Sequence, residues 1–156
     1  MALRYLESMG LVQRQGAART QLVRLSFDNH LVKELVLPVL KKERELLGHA
    51  QREIAHVFRS KALAITLFGS VARGEDEPGS DVDVLIICES ADRNGLLEKA
   101  ENYAAEFHKK YGLQLSVIIM TPNDARKSLN SSKPLLKNIL SDGIDLLPRR
   151  LQEVLK

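Results

Sequence analysis

The stretch Leu67–Ile87, LFGSVARGEDEPGSDVDVLII, decides the fold of this 156-residue chain. A short apolar run ends at Gly69-Ser70, a polar, glycine-containing loop follows, and Asp81-Val82-Asp83 opens a second apolar run. Short apolar runs bounded by turn residues predict buried strands. The sequence therefore predicts two buried strands that are joined by a Gly-Ser turn and a polar loop, with two carboxylates at the start of the second strand.

The two carboxylates have the spacing of a metal site. Asp81 and Asp83 are two apart on a predicted strand, so both side chains point to one face, about 6.7 Å apart along the backbone. At roughly 5 Å and an effective dielectric constant near 20, two unpaired carboxylates repel by about 3 kcal/mol. A bridging divalent ion removes this penalty, and Mg²⁺ favours a few carboxylates together with substrate phosphates.

The Gly-Ser turn has the residue types of a phosphate site. Gly69 lets the backbone approach a phosphate closely, and Ser70 adds a hydroxyl and an N–H at the predicted start of a small helix. Arg73 extends that helix and would place a guanidinium near phosphate oxygens. We interpret the acidic run Glu75–Glu77 as a solvated turn. For the whole stretch from Gly69 to Asp83, the alternative interpretation is a capped turn with two surface aspartates and no functional site.

These residues resemble the signature GSx10DxD of the minimal nucleotidyltransferases, which belong to the DNA polymerase β-type superfamily. The resemblance covers about residues 60–148. It implies that Gly69 and Ser70 bind a nucleoside triphosphate, with ATP favoured, and from its position beside them we predict that Arg73 also contributes to nucleotide binding. It also implies that Asp81 and Asp83 are the catalytic residues and the ligands of Mg²⁺.

The resemblance also implies a reaction and a partner. A nucleoside monophosphate would pass to a hydroxyl acceptor and pyrophosphate would leave. Some minimal members of the family are antitoxins that transfer AMP to a tyrosine of a HEPN-type toxin, so protein AMP transfer and a HEPN-type protein partner are expected.

One departure from the family pattern keeps other functions open. Family members that catalyse transfer usually carry a third carboxylate on the strand after the long helix, where this chain has Gln114 and Ser116. Asp124 and Asp145 are the nearest substitutes. Without a third acid, the site would bind nucleotide and metal but transfer slowly or not at all. The alternative functions are a catalytically degenerate nucleotide-sensing or DNA-binding, transcription-regulator-like module, and a non-catalytic partner of a HEPN-type protein.

The rest of the chain predicts an α+β fold with α/β-like character, in which helices flank a small mixed sheet. Residues 1–30 resemble the end of a winged helix, a helix plus a β-hairpin, with Arg14, Arg19 and Arg24 placed to contact DNA. The alternative is an unrelated helix and hairpin. Because so short a segment cannot bury its own core, it would pack on the long helix or on a second subunit, and from the latter we expect a homodimer. The remaining predicted segments are a linker helix over 31–60, broken near Pro38, the nucleotidyltransferase domain over 61–148 and a tail over 149–156.

Composition excludes several classes of protein. Apolar residues make up 44% and charged residues 28%, as in an ordinary globular domain. No apolar run approaches the roughly 20 residues needed to cross a bilayer, so no membrane association is expected. The single cysteine, Cys88, indicates a reducing cytoplasm and a core position. The four histidines lack zinc-ligand spacing. The net charge of +3 is concentrated in the first 60 residues.

Overall fold

The computed structural model describes residues 2–16, 22–75, 79–130 and 134–156. The chain divides into two compact units, Met1–Gly48 and His49–Lys156. The boundary between them falls inside one long helix, α2, Leu37–Phe58. The predicted boundaries at residues 30, 60 and 148 stay predictions. Within the described ranges, no helix is long and apolar enough to span a bilayer.

The first unit begins with a helix followed by a hairpin, as the sequence predicts. Gly10, at φ +66°, ends the helix, and the amide of Leu11 donates to the carbonyl of Leu6, which closes the last turn. The two hairpin strands are antiparallel, with Val12 opposite Leu25. The elements are α1, Ala2–Ser8, β1, Val12–Gln15, and β2, Leu22–Leu25.

A π-helical turn, Val32–Val36, precedes α2 and accounts for the predicted break near Pro38. Proline has no N–H to donate to the preceding turn. The turn before it widens, and the amide of Leu37 donates to the carbonyl of Val32, five residues back. Asn29 supports the start of this segment, because its side chain accepts from the amide of Leu31 at 2.8 Å.

The second unit is built on a four-stranded mixed sheet with the order β5-β4-β3-β6. The pair β4–β5 is parallel, whereas β3 is antiparallel to both β4 and β6. The predicted mixed sheet is thereby confirmed, with an edge strand of only two residues. The strands are β3, Ala62–Phe68, β4, Val82–Cys88, β5, Leu115–Met120, and β6, Ile144–Asp145.

Helices cover both faces of this sheet. Residues 50–58 of α2 and the long helix α4 pack on one face, and three short helices pack on the other. The fold is therefore α+β with a three-layer arrangement in this unit. The helices are α3, Gly69–Arg73, α4, Arg93–Tyr111, α5, Pro122–Leu129, α6, Leu135–Asp142, and α7, Leu151–Val154, and a 3-10 turn, Ser90–Asp92, leads into α4.

The alternation of side chains along β4 positions the carboxylates. Val84 and Ile86 face the layer of α2 and α4, whereas Leu85 and Ile87 face the layer of α5, α6 and α7. By the same alternation, Asp83 points toward the second layer, where the apolar packing ends. Cys88 is fully buried at the other end of the strand, as predicted.

Candidate functional site

The Gly-Ser turn and one of the two aspartates are packed directly against each other. Strand β3 ends at Phe68, which pairs with Asp83 of β4, and α3 begins at Gly69. Gly69 has φ +79°, and a Cβ built on it would lie 2.5 Å from Oδ2 of Asp83. Any side chain at position 69 would therefore displace the carboxylate, so the glycine is required both by its backbone conformation and by the close approach.

Burial and charge act together on Asp83. The side chain is half-buried, and this burial raises the pKa of its carboxyl group above the usual aspartate value. A hydrogen bond from Ser116 acts in the opposite direction, while the negative charge of Asp81 raises the pKa further. Asp81 itself is exposed just before β4. The two carboxylates thus form one electrostatically coupled pair, and a cation would relieve its repulsion.

Ser116 is the residue of β5 that lies beside Asp83. It is directly opposite Asp83 in the parallel register, and its side chain is hydrogen-bonded to that carboxylate. A serine hydroxyl donates to the carboxylate but carries no charge for a metal ion. Of the two positions at which the resemblance leads us to expect a third carboxylate, Gln114 and Ser116, it is therefore Ser116 that faces Asp83.

Asp124 does not replace the missing carboxylate. It is the third residue of α5, and its carboxylate accepts from the hydroxyl of Thr121 at 2.8 Å in a capping box. The hydroxyl and amide of Thr121 lower the pKa of Asp124. Since Asp124 follows the carboxyl end of β5, whereas Asp83 pairs near its start, the two lie at opposite ends of the sheet.

Asp145 is also engaged elsewhere. Its Oδ1 accepts from the hydroxyl of buried Thr66 at 2.8 Å and from the amide of Leu151 at 3.2 Å. Asp145 pairs with Thr66 of β3, so it lies on β6, two strands away from β4, and it is offset by two residues along the strands from Asp83. Sheet geometry therefore separates Asp145 from Asp83 by about 12 Å. Its role is to fasten the edge strand and α7, so neither substitute supplies a third acid.

A cavity of about 200 Å³ opens beside the Gly-Ser turn. Arg73 lines it and forms an ion pair with Glu75 in which Nε and Oε2 are 2.6 Å apart. Across the cavity stand Asn138 and Asp142, one helical turn apart on α6. Neither residue was predicted from the sequence. Their spacing of four residues, about one turn of a helix, was the available signal.

Ser70 and the acidic run Glu75–Glu77 are the remaining residues of this loop that the sequence singles out. Ser70, the second residue of α3, is half-buried, and its carbonyl accepts from the amide of Glu75 at 3.0 Å. Glu75 is exposed, in keeping with a solvated turn. Asp76 and Glu77 lie outside the described residues.

The donor set fits Mg²⁺ held jointly with phosphates. In the described parts of the chain, no group of three or more histidine, cysteine, aspartate or glutamate side chains is arranged to hold a metal ion. A pair of carboxylates, with Asp83 destabilised by burial and by Asp81, matches an ion that takes its remaining oxygen ligands from substrate and water.

The hairpin arginines do not form one basic face. Arg14 pairs with Val23, and Arg24 pairs with Gln13, so the two arginines lie on opposite faces of the hairpin. The guanidinium of Arg14 is also in an ion pair with Glu7. Arg19 lies outside the described residues. Contact with DNA through these residues stays a prediction.

Comparison with known proteins connects this site with a family. The family model of the nucleotidyltransferase domain matches residues 51–146. The "Putative protein adenylyltransferase MJ1305" of Methanocaldococcus jannaschii is 37% identical over 106 residues, 65% of this chain and 69% of that protein. The "Putative protein adenylyltransferase MJ0141" of the same organism is 32% identical over 75 residues, 48% of this chain and 76% of that protein.

Among solved structures, part of this chain is similar to one described as the crystal structure of "the toxin-antitoxin with AMP-PNP". It has a TM-score of 0.44 and 20% sequence identity, and covers 67% of this chain and 77% of that chain. The family match is the stronger finding, since it spans the whole stretch from the end of α2 to β6. This chain belongs to the nucleotidyltransferase domain family.

Proposed function

We propose that this chain binds a nucleoside triphosphate with Mg²⁺ and transfers AMP from it to a hydroxyl group of a protein. The observation that carries the proposal is the close packing of Gly69 against the carboxylate of Asp83, because it joins the phosphate-binding turn and the metal-binding pair into one site. The two Methanocaldococcus relatives, both named as protein adenylyltransferases, support ATP as donor and a protein as acceptor.

Each residue of the site has a role in this proposal. The first amide groups of α3, which begins at Gly69, have no acceptor within the helix and would donate to the triphosphate. The hydroxyl of Ser70 adds a further donor. Asp81 and Asp83 would hold Mg²⁺, which would neutralise charge on the phosphates and polarise the α-phosphate. Arg73, Asn138 and Asp142 line the adjoining cavity, where the nucleoside would lie.

In the proposed reaction, the acceptor oxygen forms a bond to the α-phosphorus and the bond from that phosphorus to the bridging oxygen breaks. Pyrophosphate leaves, and the hydroxyl proton goes to water. With Ser116 in place of an acid, no third carboxylate faces Asp83 from β5 to take that proton. Slow transfer is therefore expected.

The position of Ser116 also favours a second candidate, in which the site binds nucleotide without transferring it. Such a protein would sense nucleotide or would act on a HEPN-type partner through binding alone. Both candidates require nucleotide binding by Asp81 and Asp83, and they differ only in whether the α-phosphate is attacked.

The products formed from labelled ATP separate these candidates. The chain is incubated with Mg²⁺ and ATP labelled at the α-phosphate, with water or added protein as acceptor. The proposal predicts slow, Mg²⁺-dependent formation of pyrophosphate with AMP, either free or attached to protein. ADP and inorganic phosphate as products would contradict nucleotidyl transfer. Tight ATP binding without turnover would support the binding-only candidate and overturn the transferase proposal.

A further inference from the structure

A second cavity, of about 350 Å³, lies at the opposite end of the sheet from the Gly-Ser turn. Part of its lining follows directly after the last residues of the parallel strands β4 and β5, whereas the carboxylate pair lies at the start of β4. In parallel sheets with helices on both faces, ligands bind in the crevice beyond the carboxyl ends of the strands. We refer to this space as the Arg126 cavity, and its polar lining consists of Glu89, Ser90, Thr121, Asn123, Arg126 and Arg149.

The guanidinium of Arg126 is fixed in this cavity by neutral acceptors. Its Nε donates to the carbonyl of Leu155 at 3.2 Å, and its Nη2 donates to the carbonyl of Val154 at 3.3 Å, both at the end of α7. A longer contact of 3.5 Å joins Nη1 to Oδ1 of Asn123. These bonds hold the guanidinium in position but leave its positive charge uncompensated, and two of its five N–H groups remain for a ligand. A group that is ordered before binding loses little freedom when a ligand arrives.

Arg149 brings a second positive charge to the same cavity. It is exposed, and within the described ranges of the chain no hydrogen bond or ion pair engages its guanidinium. Arg14 and Arg73 are in a different situation, because each forms an ion pair with a glutamate. The Arg126 cavity therefore collects two guanidinium groups that no described carboxylate neutralises, and the guanidinium fork is the side-chain group that best matches a phosphate.

The rest of the lining indicates that the ligand is larger than a phosphate ion. Glu89 is exposed in the cavity, and in the described part of the chain it has no ion pair with either arginine. Two guanidinium groups against one carboxylate leave the lining with a net positive charge. A phosphate dianion offers only acceptors, so the carboxylate of Glu89 needs a hydroxyl or amino group elsewhere on the ligand. The volume also falls in the range of small-molecule sites, roughly 300–1,000 Å³.

We propose that the Arg126 cavity binds a phosphomonoester of the size of a nucleoside monophosphate. The phosphate accepts hydrogen bonds from the guanidinium groups of Arg126 and Arg149. Hydroxyl or amino groups of the ligand donate to Glu89, and the hydroxyl of Ser90 lies beside them as a further partner. This site is separate from the pair Asp81 and Asp83, so it does not depend on the proposed function.

Nuclear magnetic resonance titration of AMP, without Mg²⁺, into the isotopically labelled variant Asp81→Asn/Asp83→Asn tests the proposal. This variant lacks the carboxylates of the other site, so binding there is suppressed. The amide signals of Ser90, Asn123 and Arg126 should shift with a Kd of about 1 mM or tighter. Adenosine, which has no phosphate, should bind at least about tenfold more weakly, because it lacks the charge-assisted hydrogen bonds.

A pair of matched variants in the same background tests the role of the guanidinium groups. Arg149→Gln should weaken AMP binding at least about tenfold. The control is Lys127→Gln, which removes the same charge from an exposed residue of α5 that does not line the cavity, and it should bind AMP like its parent. The same spectra establish that each variant is folded.

Three results would overturn the proposal. The first is the absence of shifts around the Arg126 cavity at about 10 mM AMP, including the case in which shifts are confined to the surroundings of Ser70. The second is equal binding of AMP and adenosine. The third is an equal loss of AMP binding in Arg149→Gln and Lys127→Gln, which would reveal a general effect of positive charge. Each of these results leaves the proposed function standing, because the measurement does not use the site at Asp81 and Asp83.

Discussion

Two aspartates at opposite ends of one sheet have opposite electrostatic environments. Asp83, at the start of β4, has its pKa raised by burial and by the charge of Asp81. Asp124, beyond the end of β5, has its pKa lowered by hydrogen bonds from the hydroxyl and amide of Thr121. The fold stabilises the charge of Asp124 with its own donors, and it leaves the charge of Asp83 poorly compensated.

This difference separates a structural carboxylate from a functional one. A carboxylate that caps a helix needs nothing more from outside the chain. A half-buried carboxylate beside a second negative charge is stabilised when a cation arrives. The Asp83 end of the sheet also has the tight turn and the adjoining cavity, so the uncompensated charge coincides with space for a ligand.

The largest effect is expected from Gly69→Ala, which disrupts the site at the Asp83 end of the sheet and leaves the Asp124 end unchanged. The new methyl group would meet Asp83 at 2.5 Å, and displacement of that carboxylate should weaken Mg·ATP binding by at least about a hundredfold. The matched control is Gly112→Ala, where φ is +70° but nothing lies within 4 Å. Urea unfolding should show a loss of about 1 kcal/mol for both variants. Equal ATP affinity of the two variants would refute the role of the close approach.

A smaller change is expected from Ser116→Asp, which makes the Asp83 end more acidic. Because Ser116 faces Asp83 from the neighbouring strand β5, the new carboxylate would join the carboxylates of Asp81 and Asp83. We predict lower stability without Mg²⁺, a larger rise in melting temperature on adding Mg²⁺ than in the wild type, and AMP transfer faster by about tenfold or more. The control is Ser116→Asn, whose side chain has the size of aspartate but no charge. It should show neither the larger stabilisation by Mg²⁺ nor the faster transfer. A gain in the Asn variant would contradict the interpretation.

Asn138→Ala tests whether the cavity beside the turn holds the nucleoside. The loss of one hydrogen bond of about 1 kcal/mol should raise the Kd for ATP about fivefold. Lys137→Ala is the control, because Lys137 is the exposed neighbour of Asn138 on α6 but does not line the cavity, and this variant should bind like the wild type. An unchanged Kd in the Asn138 variant would place the nucleoside elsewhere.

The smallest effect is a difference in pH dependence between the two aspartates. For Asp83, whose pKa is raised, stability falls as pH rises from the ordinary aspartate pKa through the raised one, so Asp83→Asn should gain stability relative to wild type over that interval. For Asp124, whose pKa is lowered, stability is present above the ordinary pKa and is lost as pH falls through the lowered one. Asp124→Asn should therefore be less stable than wild type at neutral pH. Urea unfolding from pH 3 to 7 measures both, and slopes of the same sign would be inconsistent with this account.

Much of the fold was predictable from local signals. The apolar runs on either side of the Gly-Ser turn are short, contain β-branched residues and are bounded by turn residues, and these features predict β3 and β4. Gly10 and Pro38 also acted as expected, since each constrains the backbone through its own covalent structure.

The site was predictable in its motif but not in its surroundings. The spacing of Gly69, Asp81 and Asp83 led to the two carboxylates, yet the hydrogen bond from Ser116 depends on the register between β4 and β5. Asn138 and Asp142 reach the cavity because α6 packs beside α3, a long-range contact that no local pattern encodes. The same limit applies to Asp124, whose proximity to β5 in sequence suggested a role that the strand direction rules out.

The most direct test of the account is calorimetric titration of ATP with Mg²⁺ into the wild type and into the double variant Asp81→Asn/Asp83→Asn. The control is Glu101→Gln, an exposed carboxylate of α4. We predict that the wild type and the control bind ATP alike and that the double variant shows no measurable binding, while its unfolding remains cooperative. Binding of equal strength in all three proteins, or in none, would contradict the assignment of Asp81 and Asp83 as the Mg²⁺–nucleotide site.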